Sequence, residues 1–386
     1  MKFQQRVLTA AAVTVGGIAS PRALALVSIE DGRDHLFIDG SVEMSYDSNI
    51  FAHAQSGGSL SYQGTLGTEF VRHAGWIGVN ISASISFANF ARYSSQNYAD
   101  PKVTGELTKQ TGRTTGSLTF SMEKENRADV DVNTRDVSWV YDAGLNFQYP
   151  VITRYSISGA FDVSHTDYLD KQLFTDNTTY SGSLYLYYVL NEQRDLFIDY
   201  RSRVSDEGNG QNELDNSLST GVSGRIIGPF NGSLQMGYQM RSPTGGGPAN
   251  SGRYGDLNGS GTMTWNVNRR VTLTANLLKD FETTANALSV DSTSGGFTLQ
   301  DSITSKAVAN LDGSVGENRF LGNEGLTAPG DQERTDRFVS FGGFYSYAFN
   351  EHLKVQAGYS YYKSWSNVAY AEFPRAQYNL TLSSHW

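Results

Sequence analysis

The stretch GSLQMGYQMR, residues 232–241, changes side-chain character at every step. One set of alternate positions is apolar or aromatic: Leu234, Met236, Tyr238 and Met240. The positions between them are small, polar or charged: Ser233, Gln235, Gly237, Gln239 and Arg241. Because successive side chains of a β-strand point to opposite faces, this period of two predicts a strand with one apolar and one hydrophilic face.

The same period recurs along most of the chain, for example in RYSISGAFDVSH (154–165) and HLKVQAGYSYYK (352–363). Longer polar connections such as 127–135 and 205–216 alternate with short ones, which lie near 72–75, 111–114, 150–153, 191–194, 228–231, 266–269, 302–306 and 350–352. Strands of about ten residues joined in this way are typical of a transmembrane antiparallel up-and-down β-barrel, with short periplasmic turns and longer outer loops.

The strand count depends on one region. Eight short turns, with both termini on the periplasmic side, predict 18 strands, but a single loop over residues 281–336 would leave 16. Alternation resumes inside that region, at Gly295, Phe297 and Leu299 and again from Ala307. A structureless loop of such length is also unusual in a compact domain. A hairpin is therefore favoured, and 18 strands are preferred over 16.

The composition excludes several other classes of protein. No apolar run reaches the roughly 18 residues that a transmembrane helix requires. The chain has no cysteine, which excludes disulfide scaffolds and thiolate metal sites. A soluble β-sandwich is the main remaining alternative, since its strands also alternate.

The tryptophans favour the barrel over the sandwich. In the predicted topology Trp76, Trp265 and Trp386 fall at the short-turn rim, and Trp139 and Trp365 fall at the opposite rim. Aromatic side chains are enriched at both interfaces of a barrel in lipid, whereas a soluble sandwich has no reason to sort them in this way. We therefore expect a single barrel domain surrounded by outer-membrane lipid.

The N-terminus predicts export through the secretory pathway. Lys2 and Arg6 precede the apolar stretch 7–19, and Ala23-Leu24-Ala25 has the form of a cleavage site. Residues 1–25 are therefore interpreted as a signal peptide cleaved after Ala25, and residues 26–386 as the barrel domain. Residues 26–386 contain all 39 Asp and Glu of the chain but only 27 Lys and Arg, because Lys2, Arg6 and Arg22 belong to the predicted signal peptide. This acidity argues against a nucleic-acid partner.

The last nine residues, YNLTLSSHW (378–386), predict a closing strand that also carries an assembly signal. Its alternate hydrophobic residues and final aromatic are similar to the signal that the barrel assembly machinery recognises: Tyr378, Leu380, Leu382 and Trp386. That machinery is therefore an expected partner. No patch on the apolar face marks an interface between copies, so the oligomeric state stays open.

Three further segments carry a family resemblance. YDSNIF (46–51), TGELTKQTGRTTGSLTF (104–120) and EQRDLFIDYR (192–201) resemble the β-barrel porin 2 family of Gram-negative bacteria. The resemblance implies an outer-membrane barrel, and some members of the family are associated with exopolysaccharide production. It implies no catalytic residues.

The positions facing away from lipid predict a polar lumen. Candidate pore-lining acids are Asp39, Glu43, Asp47, Glu69, Asp162 and Asp199, and candidate bases are Arg201, Arg203, Arg225 and Arg241. The first four acids and the arginines fall on opposite sides of an 18-strand barrel. Facing acidic and basic walls would create a transverse field that orients polar solutes. The alternative is that these charges are solvated or paired with neighbouring residues.

The residues give little support to catalysis. His165, with Asp167 nearby, is the one histidine close to an external catalytic position, and an Asp–His pair on one strand face is commonplace. No enzyme activity, cofactor or metal is predicted. Three functional classes stay open: a water-filled pore for passive passage of small hydrophilic solutes, an outer-membrane component of an exopolysaccharide export system, and a structural barrel or adhesin.

Overall fold

The computed structural model describes residues 27–29, 34–55, 57–72, 75–208, 212–244, 252–321 and 333–386. The predicted signal peptide and its cleavage site lie outside these residues. The strands are β1 (Val27–Ile29), β2 (Asp34–Asp47), β3 (Ser59–Arg72), β4 (Gly78–Phe90), β5 (Tyr98–Lys109), β6 (Thr115–Asp129), β7 (Thr134–Ile152), β8 (Tyr155–Tyr168), β9 (Asn177–Asn191), β10 (Arg194–Asp206), β11 (Asn212–Ile227), β12 (Phe230–Pro243), β13 (Tyr254–Asn266), β14 (Val271–Thr283), β15 (Ser289–Asp301), β16 (Ala307–Phe320), β17 (Thr335–Ala348), β18 (Leu353–Ser366) and β19 (Phe373–His385).

Strands β2 to β19 form a closed antiparallel barrel of 18 strands, as the sequence predicts. Each strand pairs with the next along the chain, and β19 pairs with β2 from Asp39 opposite His385 to Asp47 opposite Gln377. The short strand β1 adds three residues beside the start of β2. Closure matters because an open edge would leave backbone N–H and C=O groups without partners in a bilayer.

The ambiguous region is a hairpin. Strands β15 and β16 pair along their lengths, with Leu299 opposite Leu311 and Phe297 opposite Gly313. The preference for 18 strands is therefore confirmed, and the 16-strand alternative is wrong. The alternation at Gly295, Phe297 and Leu299 was the signal that identified β15.

Two of the predicted long connections are shorter than expected: β10 ends only at Asp206 and β11 already begins at Asn212, within the predicted connection 205–216. The segment 127–135 was expected to be a long loop, but β6 and β7 extend into it and leave a turn of residues 130–133. Asp129 accepts a hydrogen bond from the Asp131 backbone at 2.8 Å, and Asn133 adopts a positive φ of 55°. A turn stabilised by side-chain hydrogen bonds in this way reverses the chain within a few residues. The polar residues on either side of it therefore belong to β6 and β7 and not to a loop.

The outer face of the barrel is the apolar one. Val42, Leu66, Leu218 and Met236 are each at least 60% exposed although they lie within strands. Contiguous exposed apolar surface of this extent is unusual for a protein in water and fits the hydrocarbon of a bilayer.

The tryptophans lie at the two ends of the barrel. Trp76 is in the β3–β4 turn, Trp265 is the penultimate residue of β13, and Trp386 follows β19. Trp139 and Trp365 lie near the opposite ends of their strands, at the long-loop end. Which end faces the periplasm stays a prediction. Among the described residues, no helix is long and apolar enough to cross a membrane.

Candidate functional site: the barrel lumen

Small hydroxyl side chains line much of the inner face and bond to one another across neighbouring strands. Such pairs include Ser45–Ser61 at 2.8 Å, Thr65–Ser86 at 2.8 Å and Ser82–Thr104 at 2.7 Å between oxygens. Because a hydroxyl can both donate and accept hydrogen bonds, these side chains can bond to one another and still present polar atoms to water. Short side chains also leave space at the centre.

That space includes a cavity of about 1000 Å³ at the short-turn end. It is bordered by inner-face residues of β2–β7 and β16–β19, including Asp39, Glu69 and Lys354. Glu69 accepts a hydrogen bond from Asn80 at 2.8 Å, and Asp39 contacts the His385 ring across the β2–β19 seam. Glu43, on the same face, accepts from Thr381 at 2.8 Å. Of the predicted acidic positions of β2 and β3, Asp39 and Glu69 therefore border one polar vestibule at the short-turn end.

At the other end, the β2–β3 loop folds against the β6–β7 turn. The Asn133 side chain donates to the Ala52 carbonyl at 3.0 Å, and Arg135 donates to the Ile50 carbonyl at 3.5 Å. Ile50 and Ala52 are fully buried. Ala52 packs with Ala128 and Val130, at the end of β6 and in the turn after it, and with Phe373 at the start of β19. The loop therefore lies inside the rim.

The β6–β7 turn also reaches the opposite wall. Strands β7 and β16 are separated by eight strands in either direction, so they face each other across the lumen. Asn318 of β16 donates to Asp131 Oδ1 at 3.1 Å. Arg334, just before β17, donates to the Asp131 carbonyl at 2.7 Å and to Asn133 Oδ1 at 3.0 Å. We call Asp131, Asn133, Asn318 and Arg334 the lumen latch.

The charge environment of the latch is unusual. Burial raises the pKa of Asp131 to about 7, repulsion by Asp129 adds to the increase, and Arg334 opposes it. Arg334 also pairs with Asp336 and lies over the Phe320 ring at 4.2 Å. Arg334 of the latch is therefore surrounded by the carboxyl groups of Asp129, Asp131 and Asp336, where the β6–β7 turn contacts the opposite wall.

The predicted arginines come together at the long-loop end, but in ion pairs. Arg201 binds Asp280 through two hydrogen bonds of 2.8 and 2.7 Å. Arg203 and Arg241 both bind Asp215, at 2.6 and 2.7 Å at the closest. These pairs join β10, β11 and β12 to the end of β14, which the sequence alone did not indicate. Arg201, Arg203 and Arg241 therefore match the alternative in which the predicted charges are paired with neighbouring residues, and they do not form an unpaired basic wall.

The other predicted lining residues are dispersed. Arg225 lies at the short-turn end and donates to the Gly228 carbonyl at 2.6 Å. Asp47 pairs with Arg375 at 2.6 Å near the long-loop end. Asp162 lies opposite Ser181 on β9, and Asp199 opposite Tyr185. The sequence signal for the missed partners Asp215 and Asp280 was their position on the hydrophilic face of β11 and β14.

The candidate Asp–His pair is not assembled. The His165 ring bonds the Thr178 hydroxyl at 2.8 Å and lies beside Tyr141 on the outer face. Asp167 pairs instead with Lys171, which also contacts Asp176. The geometry therefore provides no activated water at this position.

Comparisons with known proteins identify the fold. No protein-family model matches the sequence, and no curated protein matches it either. OccK2 (OpdF) from Pseudomonas aeruginosa has a similar structure, with TM-score 0.51, 10% identity and coverage of 91% of this chain and 97% of that one. OccK2 in complex with glucuronate gives a TM-score of 0.50 with the same identity and coverage.

Two further structures match less closely. The outer membrane protein OpdK from Pseudomonas aeruginosa has TM-score 0.46 and 12% identity, with coverage of 91% of this chain and 98% of that one. The FrpB iron transporter from Neisseria meningitidis has TM-score 0.48 and 11% identity over 85% of this chain, which spans 62% of FrpB. At 10% identity and a TM-score of 0.51, the likeness to OccK2 shows a shared barrel fold. Membership of the β-barrel porin 2 family stays a prediction.

Proposed function

We propose that the chain forms a water-filled channel for the passive passage of small hydrophilic solutes across the outer membrane of a Gram-negative bacterium. The observation that carries the proposal is the inner face: hydroxyl-rich strands surround a polar cavity of about 1000 Å³ within a closed barrel of 18 strands. Barrels of this size leave an aqueous lumen when side chains do not fill it.

The cellular setting is part of the same proposal. Residues 1–25 act as the signal peptide, outer-membrane lipid surrounds the exposed apolar face, and the barrel assembly machinery recognises Tyr378, Leu380, Leu382 and Trp386. The three residues of this set within β19 are exposed on the outer face. N-terminal sequencing of the membrane-extracted protein should begin at Leu26. A sequence that begins at Met1 would contradict the cleavage.

The solute class follows from size and polarity. OccK2, which has the same fold, binds glucuronate, and this small hydrophilic acid supports passage of solutes of comparable size. The predicted transverse field receives little support, because Arg201, Arg203 and Arg241 are bound to carboxylates. The comparisons give no support to the exopolysaccharide export alternative, and no observation favours the adhesin.

Planar bilayer recording tests the proposal directly. Protein whose barrel is verified by heat-modifiable gel migration should give discrete conductance steps, and liposomes containing it should swell in small neutral sugars. Heat-unfolded protein from the same preparation is the control. A folded barrel that neither conducts nor swells liposomes would refute the channel.

A further inference from the structure

An aromatic cluster interrupts the hydroxyl-rich inner wall. Tyr185 and Tyr187 of β9 and Phe197 of β10 have ring centroids 5.3 to 6.0 Å apart. Their strand neighbours Leu184 and Leu196 are exposed on the outer face, so the three rings point inward. The two tyrosines are partly exposed to the lumen, whereas Phe197 is only 4% exposed.

A carboxylate adjoins this cluster without a hydrogen-bond donor. Asp199 pairs in register with Tyr185 and points to the same side as Phe197. Asp199 is only 3% exposed, and its Oδ1 atom has no hydrogen-bond partner. Leaving a buried carboxylate oxygen unpaired is costly, so native structures rarely do so without a reason.

The nearest arginine on the strand is engaged elsewhere. Arg201 follows Asp199 by two residues on the same face, but both of its terminal nitrogens bind Asp280. Arg203 is bound to Asp215 and Asp280. The chain therefore places a carboxylate beside three aromatic rings and directs the neighbouring guanidinium groups toward other acids.

We propose that Asp199, Tyr185, Tyr187 and Phe197 form a binding site for organic cations that pass through the lumen, with an ammonium group as the recognised feature. Aromatic faces attract such groups through their quadrupole, and the carboxylate supplies the opposite charge. The ring surfaces also accommodate the apolar part of the solute. The site deepens the proposed channel function on which it rests, because it names the class of solute.

Two further carboxylates on the strands beside this site favour the same charge. Asp142 and Asp162 face the lumen on the adjoining strands β7 and β8. Asp142 accepts hydrogen bonds from Ser121 at 2.9 Å and Ser164 at 2.7 Å, which are neutral donors. Low-dielectric walls that carry carboxylates of one sign raise the local concentration of cations. A cation would therefore meet negative potential on the wall leading to Asp199.

The purely structural alternative makes a different prediction. Phe197 packs over Gly221, where an added Cβ would lie 2.3 Å from the ring, so the aromatic cluster could serve only to fill the wall. In that case removing the charge of Asp199 would change stability without changing ligand binding.

The test uses choline chloride as the cation and 3,3-dimethyl-1-butanol as its uncharged analogue of similar shape. Isothermal titration of the full mature barrel in detergent should show choline binding and no binding of the alcohol. Asp199→Asn keeps the side-chain shape and should weaken choline binding at least tenfold, and Tyr187→Leu should weaken it at least threefold. Asp312→Asn removes an inward carboxylate on β16, away from the cluster, and should change binding less than twofold.

Each outcome decides the matter. No choline binding to wild-type protein, or equal losses in Asp199→Asn and Asp312→Asn, would overturn the cation site. Calorimetry does not depend on conduction, so a silent barrel that binds choline would refute the channel and keep the site. A conducting barrel that ignores choline would keep the channel and refute the site.

Discussion

Arg241 binds Asp215 through two hydrogen bonds, from Nε at 2.7 Å and from Nη2 at 2.8 Å, with both side chains almost completely buried. Asp215 also binds Arg203, so one carboxylate of β11 bridges guanidinium groups of β10 and β12, the strands on either side of it. Removing one member of such a cluster leaves the remaining charges incompletely compensated.

We therefore expect Arg241→Ala to lower the free energy of unfolding by about 3 kcal/mol. Urea unfolding of the barrel in micelles, followed by gel migration, measures the change. Arg337→Ala is the matched control, since Arg337 forms a 2.7 Å pair with Glu317 on the outer surface and is itself 73% exposed. Such exposed pairs contribute about 0–1 kcal/mol. Similar losses in the two variants would contradict the role of the buried cluster.

The lumen latch should respond to pH. An aspartic acid released into water has a pKa of about 3.9, whereas burial raises the pKa of Asp131 in the latch to about 7. The latched form therefore binds the proton more tightly. This contribution to latching is complete below about pH 4 and is lost as the pH rises through about 7. The charged and titratable groups that act with Asp131 are Asp129, Arg334, Asp336, Glu282 and Tyr362.

If the latch restricts the lumen, conductance should rise severalfold between about pH 5 and about pH 8. Single-channel recording at symmetrical pH measures the effect. Asp131→Asn cannot titrate and should flatten the profile, whereas Asp301→Asn, at the short-turn end, should retain it. An unchanged profile in Asp131→Asn would assign the response to another group.

The two faces of one strand should differ in how much an added charge destabilises the barrel. Leu66 lies near the middle of β3 and is 64% exposed on the outer face, while Thr65 faces the lumen and bonds Ser86. Leu66→Arg should destabilise the barrel in lipid by about 2–4 kcal/mol, the usual cost of a cation at bilayer mid-depth. Thr65→Arg should cost less because lumen water solvates the guanidinium. Reversible unfolding in lipid vesicles compares the two. The reverse order would contradict the assignment of the faces.

Removal of Trp386 should impair assembly rather than conduction. Its backbone exchanges hydrogen bonds of 2.8 and 2.9 Å with Ile38, and its ring stacks on His352 at 4.2 Å. Deletion should therefore reduce the heat-modifiable fraction in membranes severalfold while inserted molecules keep wild-type conductance. Trp76→Ala, in the β3–β4 turn, is the control with an exposed tryptophan. Normal insertion without Trp386 would remove its proposed role as an assembly signal.

The sequence predicted the barrel because its main determinant is local. Alternation within each strand specifies which face meets lipid, and short turns specify which strands pair, so even β15 and β16 could be recognised. The interior contacts are different. Arg334 and Asp131 are 203 residues apart, and Arg201 and Asp280 are 79 apart. Their meeting depends on barrel curvature and on which loops turn inward, neither of which produces a sequence period.

The seam between β2 and β19 also bears on how the chain could be connected. Asp39 and His385 are partners in register although they lie at opposite ends of the chain, and Ile38 bonds the backbone of Trp386. In the closed sheet, β2 and β19 pair in the same antiparallel way as two strands of a hairpin, except that no turn connects them. A circular permutant that links Trp386 to Asp34 and begins within a short turn, such as 192–193, would contain the same ladder of strand pairs. The barrel thus specifies the neighbours of each strand but not which strand is made first.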